Sequence, residues 1–530
     1  MADVNILTRL EAEMSSLSTS RRRLVLATVC LAALAITLDT TIINVALPEL
    51  SRQLSASTRE LQWIVDAYNL SFASLVLTAG SVGDRFGRRP TLLAGLAGFA
   101  LTSLVGGLVD SADALIAMRF LMGASAAVIF PTTLSIITNT FPERRERAQA
   151  IGIWGAVTGL GVAIGPIVGG VLLAHFSWPS VFFALVPVAA VAFLAALIWV
   201  PESSRRSQAR IDIPGLILST AAIGLLVYTI IESSESGWSD PARIAGFAAS
   251  ALLAVVFVAV ERHRTAPMID VTLFRTPAFS AASGSVTVAF FSLFGFIFLV
   301  TQYFQLIRGH GTLSTGVRIL PVAVTIAIGS LLGATLAVRV GTRATVMTGL
   351  TLLASSFGWI AVSPADMSYS VIVGQMVLMG LGLGLTTAPA TDSILSVLPP
   401  AKAGIGSAVN DATRETGGTL GVAVLGSIFT SLYAGHLPDT AFGLLPGPAL
   451  HSAQESVAAA LATAQRAPAS DRAQLLDAVR DSFMTGFHLS CVVAAGICLL
   501  GVWGAAFLPG RPSRTGVEAE GIRAAAPARR

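Results

Sequence analysis

Three ionisable side chains stand inside apolar segments near the start of the chain: Asp39, Asp66 and Arg119. A charge within a bilayer is costly, so such residues are candidates for function. With a helical rise of about 1.5 Å per residue, each lies about 9–13 Å from the outer end of its segment, so the three share one depth. Arg119 can neutralise Asp39 or Asp66, and a proton or a cationic solute that reaches the carboxylate would compete with it. This arrangement offers a physical route to proton-coupled chemistry, and a static ion pair that joins helices is the alternative.

A second charged group is predicted to occupy one helix surface in the C-terminal part of the chain. Asp411, Arg414 and Glu415 are spaced at i, i+3 and i+4, so their side chains are neighbours on a helix. Arg414 can pair with either acid, which leaves one carboxylate as a second candidate proton carrier. The alternative is a satisfied ion-pair cluster that locks this helix to the preceding one through Asp392.

The elements that carry these residues are apolar segments of membrane-spanning length. The 530 residues are 54% hydrophobic and 12% charged, against about 25% charged in a soluble domain. A spanning helix needs about 20 apolar residues, and fourteen segments meet that need. The predicted spans are 24–47, 58–80, 90–109, 113–137, 149–174, 180–200, 213–232, 241–261, 278–305, 314–338, 344–362, 369–397, 403–432 and 483–508. The chain is thus predicted to be an all-α polytopic membrane protein with 14 spans.

The distribution of basic residues predicts the orientation of these spans. Alternate loops are rich in arginine, including those at 21–23, 85–89, 144–147 and 205–210, whereas the opposite loops are nearly bare. Basic residues prefer cytoplasmic loops, and an even number of spans places both termini on one side, so both termini are predicted to be cytoplasmic. The net charge of +4 is therefore a topology signal, and we expect no nucleic-acid partner.

An internal repeat divides the chain. The spacing Arg-x-Gly-x-Arg occurs at 85–89 and again at 339–343, in corresponding loops of two groups of spans. We therefore expect an N-terminal six-helix bundle over 1–205, an inserted two-helix linker over 206–277, and a C-terminal six-helix bundle over 278–510. Repeats of this kind are typical of secondary transporters, whose site lies at mid-membrane between the halves.

Two further segments lie outside the predicted spans. The outer loop 433–482 is rich in alanine and is predicted to contain short helices near 450–465 and 470–482. The polar tail 511–530 contains Pro, Gly and Ala and is predicted to be disordered and cytoplasmic.

The fifth predicted span is unusually rich in glycine. One face carries Gly161, Gly165 and Gly169, and the roughly opposite face carries Gly152, Gly155 and Gly159. Because small residues let membrane helices approach closely, we expect neighbours on both faces of this helix, and we expect a bend at Pro166.

Taken together, the motifs resemble those of the major facilitator superfamily. Its signature loop resembles the segment that contains Gly80, Asp84, Arg85, Gly87, Arg88 and Arg89. Its antiporter motif matches Gly152, Gly161, Gly165, Pro166, Gly169 and Gly170. The segment 38–48 around Asp39, together with Tyr68, Gln302 and Asn410, is similar to the fourteen-span drug:proton antiporters of the EmrB/QacA type. Glu415 departs from the family pattern, which often has an amide there.

The resemblance implies a major facilitator fold and proton-driven export of amphipathic, often cationic compounds by alternating access. The expected setting is the inner (plasma) membrane of a bacterium, with drug-like small molecules, protons and lipid as partners, a monomeric state, and a proton gradient instead of a cofactor. Asp84 is expected to latch the halves shut on the cytoplasmic side, because a carboxylate at the N-terminus of span 13 would meet free N–H groups. Ordinary loop anchoring is the alternative.

Several aromatic and polar residues are candidates for the wall of a substrate cavity. Phe290, Phe294 and Phe298 recur every four residues on span 9, as a cation-tolerant wall or as ordinary packing. Gln375 adds a polar candidate to Asp39, Tyr68, Gln302 and Asn410. We expect Trp63, Trp154, Trp178 and Trp238 to be mostly interfacial anchors.

The sequence also excludes some classes of protein. It contains no phosphate-binding loop of an ATP-driven pump, no metal-ligand spacing and no convincing catalytic triad, so we expect neither an enzyme nor a metal site. Besides drug export, a dedicated exporter of an endogenous lipid, siderophore or antibiotic remains open. A non-transporting receptor or scaffold is a further alternative, although it has no need of buried charges such as Asp39 and Arg119.

Overall fold

In a computed structural model, the structure describes residues 18–510 except 55, 57, 203–211, 237–238, 265–266, 268–270, 399–402, 440, 445–446 and 456. The predicted disordered tail 511–530 and Trp238 lie outside the described residues.

The described chain consists of α-helices joined by short turns. The first eight are α1 (Thr19–Gln53), α2 (Thr58–Phe86), α3 (Arg88–Gly106), α4 (Ala112–Thr140), α5 (Arg144–His175), α6 (Pro179–Trp199), α7 (Ile213–Ser236) and α8 (Pro241–His263). The next five are α9 (Pro277–Gln302), α10 (Thr312–Val340), α11 (Thr342–Ala361), α12 (Tyr369–Ser396) and α13 (Ala403–His436). The last three are α14 (Gly447–Glu455), α15 (Val457–Arg466) and α16 (Ala469–Ala505).

Thirteen helices are long and apolar enough to cross a membrane in the part of the chain that the structure describes. They correspond to all predicted spans but the second. That span is α2, a helix of 29 residues whose acidic side chains Glu60, Asp66 and Asp84 lower its hydrophobicity. The structure therefore confirms the predicted all-α polytopic membrane fold, and α2 packs against α4, α7 and α13 inside it.

Two stretches differ from the prediction. The helix expected at 470–482 and the span expected at 483–508 are one continuous helix, α16, because no Gly or Pro separates them before Gly486. At the end of α9, residues Tyr303–Ile307 form a π-helical turn, which the sequence pattern did not predict. The Tyr303 hydroxyl donates to the Ala365 carbonyl at 2.7 Å and ties this turn to the end of α11.

The buried apolar side chains form two cores. One core is drawn from α1–α6, with Ala388 and Leu395 of α12 added at its edge. The other core extends from α9 to α16. This division follows the predicted six-helix halves, whose exact boundaries at 205 and 278 stay a prediction.

The repeat is visible in the backbone of the two inner loops. Gly87 has φ = 100° and Gly341 has φ = 101°, and each stands immediately before a helix. Only glycine adopts such a φ readily. In each loop, the arginine two residues after the glycine donates to a backbone carbonyl. Arg89 donates to the Leu197 carbonyl, and Arg343 donates to the Leu508 carbonyl at 2.9 Å.

Of the two inserted helices, α7 packs against α2 of the N-terminal half and against α13 of the C-terminal half, and α8 packs on α7. The Thr220 and Thr78 hydroxyls are 3.0 Å apart and join α7 to α2. The Ser250 hydroxyl donates to the Ala222 carbonyl at 2.9 Å and joins α8 to α7. Only 11% of the apolar window of α8 is buried in the protein, so most of this helix faces the surroundings of the bundle.

Both glycine faces of α5 contact another helix. Gly161, Gly165 and Gly169 face α1, and Gly152, Gly155 and Gly159 face α10. A Cβ at Gly152 would lie 2.9 Å from the Ala334 Cβ, and one at Gly159 would lie 2.7 Å from the Ile326 side chain. α5 thus lies between its own half and the other half, as expected. Pro166 lies within α5, which continues past it, and Gly170 is half-buried beside it.

Replacement of Gly165 by Val should destabilise the contact between α5 and α1. The new side chain would overlap the Thr41 hydroxyl, and its Cβ would lie 3.1 Å from the Leu38 carbonyl oxygen. Overpacking of this kind costs about 1–3 kcal/mol, so we expect a lower midpoint of thermal unfolding for the solubilised protein. Gly496→Val is the matched control, because no atom lies within 4 Å of a Cβ there. Equal midpoints for the two variants would contradict the predicted packing.

Candidate functional site

The centre of the N-terminal half contains a buried ion pair. The Arg119 guanidinium of α4 donates through Nη1 to both carboxylate oxygens of Asp39 in α1, each at 2.8 Å. Both side chains are 1% exposed. The sequence left Asp39 and Asp66 open as partners, and the structure assigns Arg119 to Asp39. Asp66 is only half-buried on α2.

Helix α2 supplies two more contacts to the same arginine. Arg119 Nε donates to the Ile64 carbonyl at 2.9 Å, and the guanidinium lies 4.4 Å from the centre of the Tyr68 ring. Tyr68 is itself buried and stacked on Phe72. Arg119 therefore joins three helices, and two of its contacts do not depend on the charge of Asp39.

The second charged group lies on α13, as the spacing predicted. Arg414 Nη1 is 3.8 Å from Asp411 Oδ1, a long ion pair. Asn410 Nδ2 donates to the same oxygen at 3.2 Å, and the Thr391 hydroxyl of α12 donates to the side-chain amide oxygen Oδ1 of Asn410 at 2.8 Å. Glu415 is half-buried and interacts electrostatically with Arg414. The polar group thus contains one long ion pair and one carboxylate that accepts no side-chain hydrogen bond among the described residues.

Aromatic rings surround the Arg414 guanidinium. Its carbon lies 4.3 Å from the ring centre of Phe290, 4.8 Å from that of Phe130 and 5.3 Å from that of Trp154. Trp154 is 4% exposed, and its Nε1 donates to the Thr133 hydroxyl at 3.1 Å. The expectation that Trp154 is an interfacial anchor is therefore wrong, because the indole is buried between the halves.

A cavity lies between the two halves and reaches Arg414. Its wall consists of Ile151, Trp154, Gly155, Thr158, Gly159 and Val162 of α5, with Phe290, Leu293, Ile326, Leu383, Thr387, Ala388, Thr391 and Arg414 of the C-terminal half. The wall is mostly apolar, with a few hydroxyl groups and one cation. This composition suits an amphipathic ligand.

The other candidate cavity residues have different surroundings. Phe294 packs against Gly418 of α13. Gln375 is buried and donates to the Ser363 hydroxyl at 2.8 Å, which joins α12 to the end of α11. Gln302 ends α9 and is half-buried. Of the aromatic stripe on α9, Phe290 is the member that reaches the cavity.

The carboxylate of Asp84 caps helix α13 across the interface between the halves. It accepts from the backbone N–H groups of Gly404 at 3.0 Å and Ile405 at 3.1 Å. Arg88 donates to it at 3.1 Å, and both side chains are about 5% exposed. Because Gly80 and Gly404 lack side chains, the two backbones approach closely enough for these bonds; a Cβ at Gly404 would lie 2.6 Å from the Gly80 carbonyl oxygen.

The neighbouring arginines of the loop have separate contacts. Arg85 lies over the Phe86 ring at 5.8 Å. Arg89 is 3.5 Å from Glu202 at the end of the N-terminal half, and Gly87 supplies the positive φ that starts α3. Arg88 is thus the loop arginine that directly supports Asp84.

An ion pair also crosses the interface at the same face. Arg147 Nε, in the first turn of α5, donates to Asp392 Oδ1 of α12 at 3.0 Å. The alternative that Asp392 locks α13 to α12 is therefore wrong. Many arginines lie in the predicted inner loops, so the sequence did not single out Arg147 as the partner of Asp392. One signal for such a partner was available, because an acid near the inner end of a span needs a basic partner.

The substitution Asp84→Asn should loosen the start of α13. The side-chain amide of the new asparagine has one acceptor oxygen instead of two and carries no charge. A hydrogen bond to a charged group contributes about 1.5–3 kcal/mol. We therefore expect the Gly404 and Ile405 amides to exchange hydrogen for deuterium at least about tenfold faster. Asp113→Asn, at an exposed acid in the first turn of α4, is the control. Unchanged exchange in Asp84→Asn would show that the cap does not hold α13.

The sequence of this chain is similar to those of known transport proteins. The sequence matches the Major Facilitator Superfamily over residues 29–422. It is 35% identical over 480 residues to the multidrug efflux pump LfrA of Mycolicibacterium smegmatis, which covers 91% of this chain and 95% of the relative. It is 34% identical over 479 residues to the tetracenomycin C resistance and export protein of Streptomyces glaucescens, with 89% of each covered.

Among solved structures, the proton:xylose symporter XylE has a similar fold. The TM-score is 0.62 at 13% sequence identity, over 93% of this chain and 97% of that one. At that identity the likeness concerns the fold alone, whereas the sequence matches identify the family. This chain therefore belongs to the major facilitator superfamily and to the drug:proton antiporter family that its motifs indicated.

Proposed function

We propose that this protein exports amphipathic, often cationic drug-like compounds in exchange for protons, by alternating access across a bacterial plasma membrane. The observation that carries the proposal is the pair of Asp39 and Arg119, with 2.8 Å contacts and 1% exposure of both side chains. The similarity to a multidrug efflux pump supports the direction of transport and the class of cargo.

The pair of Asp39 and Arg119 offers a physical route to coupling. A proton on Asp39 removes the charge that Arg119 neutralises, while Arg119 keeps its contacts with Ile64 and the Tyr68 ring. Loss of one partner of a buried pair costs about 3–5 kcal/mol, so protonation changes which arrangement of helices is stable. A cationic substrate near Asp39 would favour the ionised carboxylate and hence the release of the proton.

Glu415 is the better candidate for a second proton carrier. Among the described residues, no side chain donates a hydrogen bond to its carboxylate, and its ionic neighbour is Arg414 on the same helix. Asp411 is fully buried, accepts from Asn410 and pairs with Arg414. Asp411 therefore supports the structure of α13, whereas Glu415 is free to change its charge with less damage to packing.

The face closed by Asp84 is the cytoplasmic face in this proposal. The arginine-rich loops lie there, both termini are cytoplasmic, and the halves 1–205 and 278–510 move as units. Asp84 and Arg147 hold the halves together at this face, so export requires both contacts to break when the protein opens inward. A monomer is sufficient for this cycle, and it needs no cofactor beyond the proton gradient.

A dedicated exporter of one antibiotic is the second candidate function. It is favoured by the similarity to the tetracenomycin C resistance and export protein. The mostly apolar cavity wall at the interface suits either cargo. A panel of chemically unrelated dyes and antibiotics separates the two candidates, because a dedicated exporter would move one chemical class only.

Asp39→Asn should abolish dye export driven by a pH gradient. The amide cannot exchange a proton, so we expect the gradient-dependent rate of ethidium transport in proteoliposomes to fall by about 100-fold or more, the range for loss of a proton-transfer group. Asp39→Glu, which keeps the carboxyl, should retain part of the rate. Asp113→Asn controls for the chemical change, and thermal unfolding controls for folding. Gradient-driven transport at the wild-type rate by Asp39→Asn would exclude this mechanism.

The two acids of α13 should differ in a paired experiment. Glu415→Gln should lower the midpoint of thermal unfolding less than Asp411→Asn does, because among the described residues no side chain donates a hydrogen bond to the Glu415 carboxylate. It should also lower the number of protons released per substrate bound, measured with a pH-sensitive dye. Asp411→Asn should destabilise the protein because it leaves Arg414 buried beside a neutral group. Unchanged proton release in Glu415→Gln, with loss in Asp411→Asn, would reverse the assignment.

A further inference from the structure

The Arg414 guanidinium occupies a site that has the form of a receptor for an organic cation. Rings of Phe290, Phe130 and Trp154 stand 4.3, 4.8 and 5.3 Å from its carbon. Cations bind the faces of aromatic rings within about 6 Å, and rings arranged around a cation are a common means of recognising quaternary ammonium groups. We call these three rings the aromatic cage.

The polar contacts of Arg414 are weaker than those of Arg119. Its ion pair with Asp411 is 3.8 Å long. Arg414 Nε and Asp411 Oδ2 are buried without a hydrogen-bond partner among the described residues. Arg119 instead makes two 2.8 Å contacts with Asp39 and a further bond to a carbonyl. The guanidinium of Arg414 is therefore held largely by the aromatic cage, and another cation can replace it there without breaking a close ion pair.

The aromatic cage is preformed and lies at the cavity. Phe130 and Trp154 are packed with their ring centres 5.1 Å apart, and the hydrogen bond to Thr133 fixes the indole. Trp154, Phe290 and Arg414 belong to the cavity wall. Phe130 and Trp154 come from α4 and α5, whereas Phe290 comes from α9, so the cage is complete only while the two halves are together.

We propose that Arg414 is a resident cation in a substrate subsite, and that the cationic group of a substrate displaces it from the aromatic cage. The inference rests on the proposed export of cationic compounds. It identifies the aromatic cage as the site where the cation binds and Arg414 as the side chain that competes for that site. The displaced guanidinium has two acids within its own helix, Asp411 and Glu415, and can move toward them.

A purely structural role for Arg414 makes different predictions. In that case the guanidinium would join the halves through the three rings, and an added cation would not compete with it. Removal of its charge would weaken the contact between the halves, and any gain in cation binding would come from Asp411 and Glu415 and not from the rings. The two possibilities therefore differ in whether the rings contribute to the binding of an added cation.

The test is equilibrium binding of benzyltrimethylammonium to the full chain in lipid nanodiscs, without a proton gradient. If Arg414 competes for the aromatic cage, Arg414→Gln should bind this permanent cation about tenfold more tightly than the wild type, the scale of a desolvated cation–π contact. Arg414→Lys keeps a competing cation and should show a smaller change. Equal or weaker binding by Arg414→Gln would overturn the proposal.

A double variant separates the aromatic cage from simple electrostatics. Arg414→Gln also exposes the negative charge of Asp411 and Glu415, which would attract any cation. With Phe290→Leu added, the gain in affinity should be largely lost, because the acids remain and the ring is gone. A gain that persists in full in the double variant would show that the acids, and not the rings, bind the probe.

A measurement on the unaltered chain covers the case in which Arg414→Gln does not fold. The indole N–H resonance of Trp154, identified by its loss in Trp154→Phe, should shift when saturating benzyltrimethylammonium is added. No shift would overturn the proposal. Because no gradient is involved, this result is independent of the Asp39→Asn transport experiment. If benzyltrimethylammonium does not bind the aromatic cage but export is driven by protons, the cage proposal is wrong and the proposed function still holds. If the cation binds the cage but export is not driven by protons, the proposed function is wrong.

Discussion

The cost of removing a charge from water is the constraint on which the interior of this protein depends. An unpaired charge in a bilayer is strongly disfavoured, so each buried charge needs a partner that another helix or its own helix supplies. Arg119 has Asp39 on α1 and a carbonyl on α2. Asp84 has the N-terminus of α13. These contacts fix which helices must be neighbours, and the glycines of α5 then let the remaining helices come close enough to pack.

Aromatic rings connect the two charged centres. Tyr68 lies under Arg119 and stacks on Phe72, which meets Phe130 edge-on at 6.0 Å. Phe130 in turn packs on Trp154 and lies near Arg414. Arg119 contacts the Tyr68 ring and Arg414 contacts the Phe130 ring, so a shift of either guanidinium acts on one end of this row of packed rings. This packed chain is a physical connection between the half that carries Asp39 and the half that carries Arg414, because packed interiors transmit strain.

The sequence predicted the helices and the residues of the two charged centres, but it did not predict their partners. Hydrophobic length identified α1, α3 to α13 and α16, because a bilayer requires about 20 apolar residues. The spacing of Asp411, Arg414 and Glu415 predicted that Arg414 pairs with an acid of its own helix, but it left open which acid that is. Contacts between distant segments were less accessible: Asp392 with Arg147 and the cage around Arg414 depend on helix rotation, which sequence spacing does not determine. Asp84 was the exception, because the family resemblance already implied its position beside α13.

The contacts that cap α13 and join α12 to α5 lie at one face of the interface between the halves. Asp84 joins α2 to α13, and Arg147 joins α5 to α12. Because these contacts belong to two different helix pairs, the halves separate at this face only when both contacts break. The aromatic cage also has rings from both halves, so the same separation takes the cage apart. In the proposed mechanism, a cation in the cage favours the closed arrangement, and proton entry at Asp39 supplies the opposing change in stability.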